Sequence, residues 1–207
     1  QTIPSRDCLL CIPPRWQVSH TVAMPAVPDE ELADYLWLQA EQELGLTADS
    51  IELAVSRYIL GENDARAALF AVRHDRLEQL RKVLKAAHLR LLAAVPAIIA
   101  EPGSTDDRIS LSILLQTDGG VLQVSGKSGI LLLRELTAQH TAALPEQAQA
   151  LSSQACISLA TLPAVAQDAI DTVCLLGNEK RIRTLAATWE EKQSSLAGLP
   201  ASAIQSV

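Results

Sequence analysis

The sequence predicts an α/β chain in two lobes, and three observations predict it. Strand-like and helix-like periodicities alternate from residue 8 to about 98. A stretch rich in Pro, Gly, Ser and Asp, EPGSTDD at 101–107, then interrupts them as a linker. Beyond it three apolar runs separated by glycine turns give way to helix, strand and helix. The expected boundaries are 1–100 for a small mixed-sheet lobe with two helices, 101–107 for the linker and 108–207 for the second lobe.

In chain order, CLLCIP (8–13) and VSHTVAMP (18–25) read as short strands, the second ended by Pro25. Cys8 and Cys11 form a CxxC, but a strand places them on opposite faces. A zinc site would need a second Cys/His pair, which Cys156 and Cys174 do not make, and a redox pair belongs at a helix N-terminus. Buried structural thiols are therefore expected. Pro28-Asp29 opens a helix, with Asp29 the expected N-cap, Glu30 and Glu31 in its first turn and Gly45 closing it. Its apolar face holds Leu32, Tyr35, Leu36, Gln39, Ala40 and Leu44.

IELAVSRYIL (51–60) and RAALFAVR (66–73) predict a hairpin across the Gly61–Asp64 turn. Asp75 and Glu78 resemble a capping box for a second helix, with Leu77, Leu80, Leu84 and Ala87 inward and Arg76, Arg81, Lys82 and Lys85 outward. LRLLAAVPAIIA (89–100) supplies a further strand. In the second lobe ISLSILLQ, VLQVS and ILLLREL form an antiparallel meander turned by TDGG and GKSG. Helices then carry Ala148, Leu151, Ala155 and Leu159, and Ile182, Leu185, Ala186 and Trp189. Between them IDTVCLLG reads as a central strand with a parallel partner, and LPASAIQSV starts one more.

GGVLQVSGKSGILLL, residues 119–133, ends like a phosphate loop at Gly126-Lys127-Ser128. The spacing rejects it: the first glycine belongs at position 121, which is Val121, and Ile130 to Leu133 continue as a strand where a helix must begin. The segment is a hairpin turn.

Composition narrows the function. With 207 residues, 48% apolar and 20% charged, the chain buries a substantial core and is not disordered. A net charge of −7, a pI near 5.1 and 3% aromatics argue against nucleic-acid binding. No apolar run reaches the roughly 20 residues that cross a bilayer, and QTIPSRDC has no signal-peptide pattern. Four cysteines are too few for a disulfide framework, so a cytosolic location is expected; with Gln1 rather than Met first, so is a longer parent chain. His20, His74, His88 and His140 lack metal-site spacing, there is no GxSxG elbow, Asp106-Asp107 fall in the linker, and Glu190 and Glu191 fall on a polar helix face. No metal is expected.

The order of elements, with VAMPAVPDEELADYLWLQAEQEL (22–44) and AALFAVRHDRLEQLRKVLKAAHLRLLAAVPAIIA (67–100), resembles the PilM family of type IV pilus assembly proteins and the related cytoplasmic L component of type II secretion. In that family an acidic helix carries EAEQ-like residues, where this chain has Gln39-Ala40-Glu41-Gln42. The resemblance covers nearly the whole chain by element order. It implies an actin-like (ribonuclease H-like) half preceded by a small mixed α/β subdomain of the 1C type found in PilM and FtsA-like proteins.

It also implies a nucleotide site, from which this sequence departs. The first phosphate loop would have to precede Gln1. The second is reduced to Asp118, Gly119 and Gly120 without a following hydroxyl, and the adenosine loop to Gly177-Asn178-Glu179-Lys180, whose Glu179 would repel phosphates. These degenerate loops predict no cofactor, ATP entering only if a preceding segment completes the site; Asn178 reads better as an N-cap. The expected function is a non-catalytic cytoplasmic scaffold, peripheral to the inner membrane. It would bind the cytoplasmic tail of an inner-membrane pilus or secretion protein and contact an assembly ATPase. The expected partner surface is a strand edge around Val55 with the basic stripe Arg76, Arg81, Lys82 and Lys85. The alternative is an ATP-dependent enzyme of the actin-like and sugar-kinase superfamily.

Overall fold

The computed structural model describes residues 6–60, 64–96, 109–117, 119–127, 129–139, 141–193 and 204–206. The expected linker at 101–107 with Asp106-Asp107, the residues Asp118 and His140, most of the Gly61–Asp64 turn and the side chains of Glu190 and Glu191 lie outside them.

The first segment forms β1 (Asp7–Ile12), β2 (Gln17–Ala23), α1 (Asp29–Leu44), β3 (Ile51–Leu60), β4 (Asp64–Arg73), α2 (His74–Ala86) and β5 (Arg90–Pro96). β2, β4 and β3 make an antiparallel sheet in that order, so the expected hairpin is present and both β2 and β3 are outer strands. α1 lays Leu32, Leu36 and Ala40 on Val22, Ala67 and Leu69, one face of this sheet. Gly45 ends α1 at φ 63°, and its N–H donates to the Glu41 carbonyl.

Four local expectations are corrected. Asp29 is the first residue of α1, not its cap; Pro28 caps it with an extended backbone, and its carbonyl accepts from Glu31 and Leu32. α2 starts at His74, one residue before the Asp75 expected to open its capping box, and its cap is Arg73. Asp75 and Glu78 form no capping box, because stronger partners take their carboxylates: Asp75 binds the Arg73 fork at 3.1 and 2.6 Å, and Glu78 binds Arg81 at 2.7 Å. Cys11 is exposed rather than buried, while Cys8 is half-buried.

β1 pairs in parallel with β5, a contact periodicity gave no hint of. Arg90 clamps its start, donating to both Asp7 oxygens at 2.7 and 2.8 Å. The alternation along β1 turns Cys8 and Cys11 to opposite faces, a geometry hostile to a bridge or a shared tetrahedral metal. Mass spectrometry of the native protein should find both as free thiols with no bound zinc; stoichiometric zinc lost in Cys11→Ser would contradict the assignment.

The second segment forms β6 (Ile109–Gln116), β7 (Gly119–Gly126), β8 (Gly129–Thr137), α3 (Leu144–Leu159), α4 (Ala164–Asp168), β9 (Ile170–Leu176), α5 (Glu179–Gln193) and β10 (Ile204–Ser206). The sheet order is β10-β9-β6-β7-β8, with β6, β7 and β8 antiparallel and β9 and β10 parallel to β6. A meander extended by parallel strands on its first strand is the ribonuclease H-like arrangement the actin-like resemblance implies. α3 and α5 cover it through Ala148, Leu151, Ala155, Ile182, Leu185 and Trp189.

One core joins the two segments. Tyr58, Leu60, Ala68 and Phe70 of the three-stranded sheet belong to the same buried cluster as Leu122, Leu131 and Leu133. β8 would otherwise leave an unpaired sheet edge. Side chains from β2 and β3 meet its backbone instead: Ser19 Oγ donates to the Leu133 carbonyl (3.1 Å), Thr21 Oγ1 to the Leu131 carbonyl (3.2 Å), and the Ile130 N–H donates to Ser56 Oγ (3.0 Å).

Candidate functional site

Two places follow from this topology. The first is the C-terminal end of β6 and β9, where ligands of open α/β sheets bind and where degenerate nucleotide loops were expected. The two strands run side by side, which brings Gln116 and Thr117 close to Gly177 and Asn178. Arg181, in the first turn of α5, spans that gap: its Nη2 donates to the Thr117 carbonyl at 2.6 Å and its Nη1 to the Gln116 carbonyl. Asn178 Oδ1 accepts the Lys180 N–H at 3.1 Å, the N-cap geometry expected of it.

The glycines here serve the sheet. A Cβ on Gly119 would lie 2.2 Å from the Leu136 carbonyl oxygen and one on Gly120 2.9 Å from that of Leu114, so both let β7 sit between its neighbours. Gly177 has φ 133°, and its Cβ would come within 2.7 Å of the Leu115 carbonyl oxygen. Gly177→Ala should therefore destabilise the protein by about 1–3 kcal/mol through backbone strain and overpacking. Urea denaturation would measure this, and an unchanged midpoint would mean that the turn is not held as described.

The second place is a cleft of about 450 Å³ between the β1–β5 pair, α2 and the face of the three-stranded sheet opposite α1. Its floor is apolar and buried, formed by Ile12, Phe70, Val72 and Leu77. Leu92, 57% exposed, and Ala54 stand on its walls. Gln17 lines it with a side-chain amide whose nitrogen and oxygen are both buried and unpartnered among the described residues. A buried amide left in that state is costly, and it carries one acceptor and a donor pair for whatever enters. Arg81 stands at the rim, donating to Glu52 at 2.8 Å and to Glu78 at 2.7 Å. The Glu78 and Glu52 hydrogen bonds raise the Arg81 pKa, and the Arg81 bond holds Glu78 below the usual carboxylate range.

The expected partner residues are dispersed. Only Arg81 reaches the cleft, and its charge is matched by two carboxylates. Arg76 lies over the Trp16 ring at 5.4 Å, and Lys82 and Lys85 are exposed. Val55 lies in the outer strand β3 but alternates with Ala54, so it faces away from the cleft, 39% exposed. The residues missed by sequence reasoning are Gln17, Ala54, Leu92 and Glu52. No local signal marks them, because the cleft exists only through the β1–β5 pairing.

No family model matches the sequence, and no curated protein is recognisably similar to it. Solved structures are similar. A chain of the PilM–PilN type IV pilus biogenesis complex superposes with a TM-score of 0.67 at 14% identity, over 99% of this chain and 70% of that one. The cytoplasmic domain of EpsL, an inner-membrane component of the type II secretion system of Vibrio cholerae, superposes with a TM-score of 0.54 at 16% identity, over 84% of this chain and 61% of its own length. The chain therefore has the fold of these proteins.

Proposed function

We propose that this chain is an assembly component of a type IV pilus or type II secretion machine, acting as a cytoplasmic scaffold at the inner membrane. Its work is recognition: the cytoplasmic tail of an inner-membrane partner enters the first cleft as an extended segment. The observation that carries this reading is the cleft itself, with apolar floor, exposed Leu92 and the unpartnered Gln17 amide. A peptide backbone group offers one N–H and one C=O, the complement of what Gln17 presents, and apolar side chains of the tail suit the floor. The likeness in fold to a chain of the PilM–PilN complex and to cytoplasmic EpsL supports the same reading. Contact with an assembly ATPase belongs to it as well.

The test is fluorescence anisotropy of the protein against a labelled synthetic tail of the inner-membrane partner. Saturable binding that Gln17→Leu weakens is expected. A tail that binds no better than a scrambled peptide would refute the reading.

Nucleotide turnover has no part in this proposal. Arg181 lies across the strand ends and Gly177 is packed on Leu115, so ATP with Mg²⁺ should give no isotherm in calorimetry able to see dissociation constants up to about 1 mM, or about −4 kcal/mol. A micromolar isotherm would favour the actin-like enzyme instead.

A further inference from the structure

Arg66, Arg73, Arg81, Arg90 and Arg183 each lie within ion-pair distance of a carboxylate. Arg134 does not. It projects from β8, half-buried against the three-stranded sheet, where its Nη1 donates to the Ser19 carbonyl at 2.8 Å and to Ser19 Oγ. Nε and Nη2 have no partner among the described residues. Burial alone acts on its charge, drawing the guanidinium pKa downward. A cation set in this way is under-compensated, since neutral dipoles replace only part of its hydration.

Beside it lies a small pocket of about 100 Å³, about three waters' share of space. Its lining is of two kinds: the polar Arg134, Ser19, Thr21, Thr161 and His20, whose Nε2 lies 3.4 Å from Glu43, and the apolar Ala68, Phe70, Leu131 and Leu132. The three hydroxyls already donate, to the carbonyls of Leu133, Leu131 and Ser158, so Arg134 is the donor with capacity to spare. Nε–H and Nη2–H form the side of the guanidinium that receives both oxygens of one carboxylate. A polyanion would find one cation and apolar walls; a carboxylate on a short hydrocarbon stem finds a fork for its head and a dry lining for its stem.

We propose that this cavity, where the three-stranded sheet meets β8, binds a short-chain monocarboxylate through the free side of Arg134, with the stem against Phe70. The site shares Phe70 with the tail cleft, but its carboxylate fork, Arg134, comes from β8 and does not line that cleft. Because Arg134 already ties β8 to Ser19 of β2, the bound carboxylate strengthens the seam between the two sheets.

The experiment uses the whole protein with 13C-labelled propionate, and phosphate and chloride at matched ionic strength as controls. In the wild type, propionate should raise the melting temperature saturably, and its stem should show nuclear Overhauser contacts to Phe70, the one phenylalanine of the chain. Phosphate and chloride should do neither. R134K keeps the charge but loses the fork, and should weaken propionate by about tenfold or more. Equal stabilisation by chloride, absence of contacts to Phe70, or unchanged propionate affinity in R134K would each overturn the proposal; the first two need no variant.

Discussion

Phe70→Ala is expected to remove about 3–5 kcal/mol of stability, and to remove it from both lobes at once. Phe70 is 3% exposed and belongs to the cluster that continues into Leu122, Leu131 and Leu133 of the second sheet. A cavity there takes packing from β4 and β8 together, and the loss is a large share of the roughly 5–15 kcal/mol that holds a domain folded. The tryptophans report on the two parts separately, with Trp16 and Trp37 in the first segment and Trp189 in the second. Single-tryptophan variants unfolded in urea should give coincident transitions that shift together in Phe70→Ala. Two separate transitions, with the one reported by Trp189 unmoved, would show that the segments are independent domains.

Ala54→Trp is expected to reduce tail binding by more than about tenfold, that is by more than about 1.4 kcal/mol. Ala54 is an exposed residue of β3 on the wall of the cleft, so an indole there extends into space the tail must occupy while the buried floor stays as it is. Val55→Trp is the control, because Val55 faces away from the cleft on the same strand. Its binding should stay within about twofold of the wild type. The opposite pattern, with Val55→Trp blocking and Ala54→Trp neutral, would place the partner on the α1 side of the sheet.

Much of the fold was legible because its elements are short-range patterns. The 3.6-residue spacing of Leu32, Leu36 and Ala40 fixed α1, and the glycine turns around β7 fixed the meander. That β9 is a strand with a parallel partner was readable from its mostly apolar run, but which strand it joins, β6, was not. Caps were less legible. Asp29 and Asp75 have the right residue types, but Pro28 supplies an extended backbone one position earlier, and Asp75 sits inside α2 with the Arg73 fork as its main partner.

The site was the least legible part. Gln17 is an unremarkable glutamine until β1 pairs with β5 and roofs it over, and Arg81 looked like one of four surface cations until Glu52 of a distant strand met it. The degenerate nucleotide loops show the converse. Gly119, Gly120 and Gly177 stand where the resemblance implies phosphate and base contacts, yet carbonyl oxygens of Leu136, Leu114 and Leu115 lie where their Cβ atoms would be. Sequence alone does not distinguish a glycine kept for a ligand from one kept for a neighbouring strand.

Backbone amide exchange of the protein with and without the partner tail tests the central claim most directly. An extended tail lying in the cleft should slow exchange in Leu91–Val95 of β5 and in Glu52–Ala54 of β3, and leave β6, β7 and β9 as they were. Protection confined to residues beyond 108, with β3 and β5 unaffected, would contradict it.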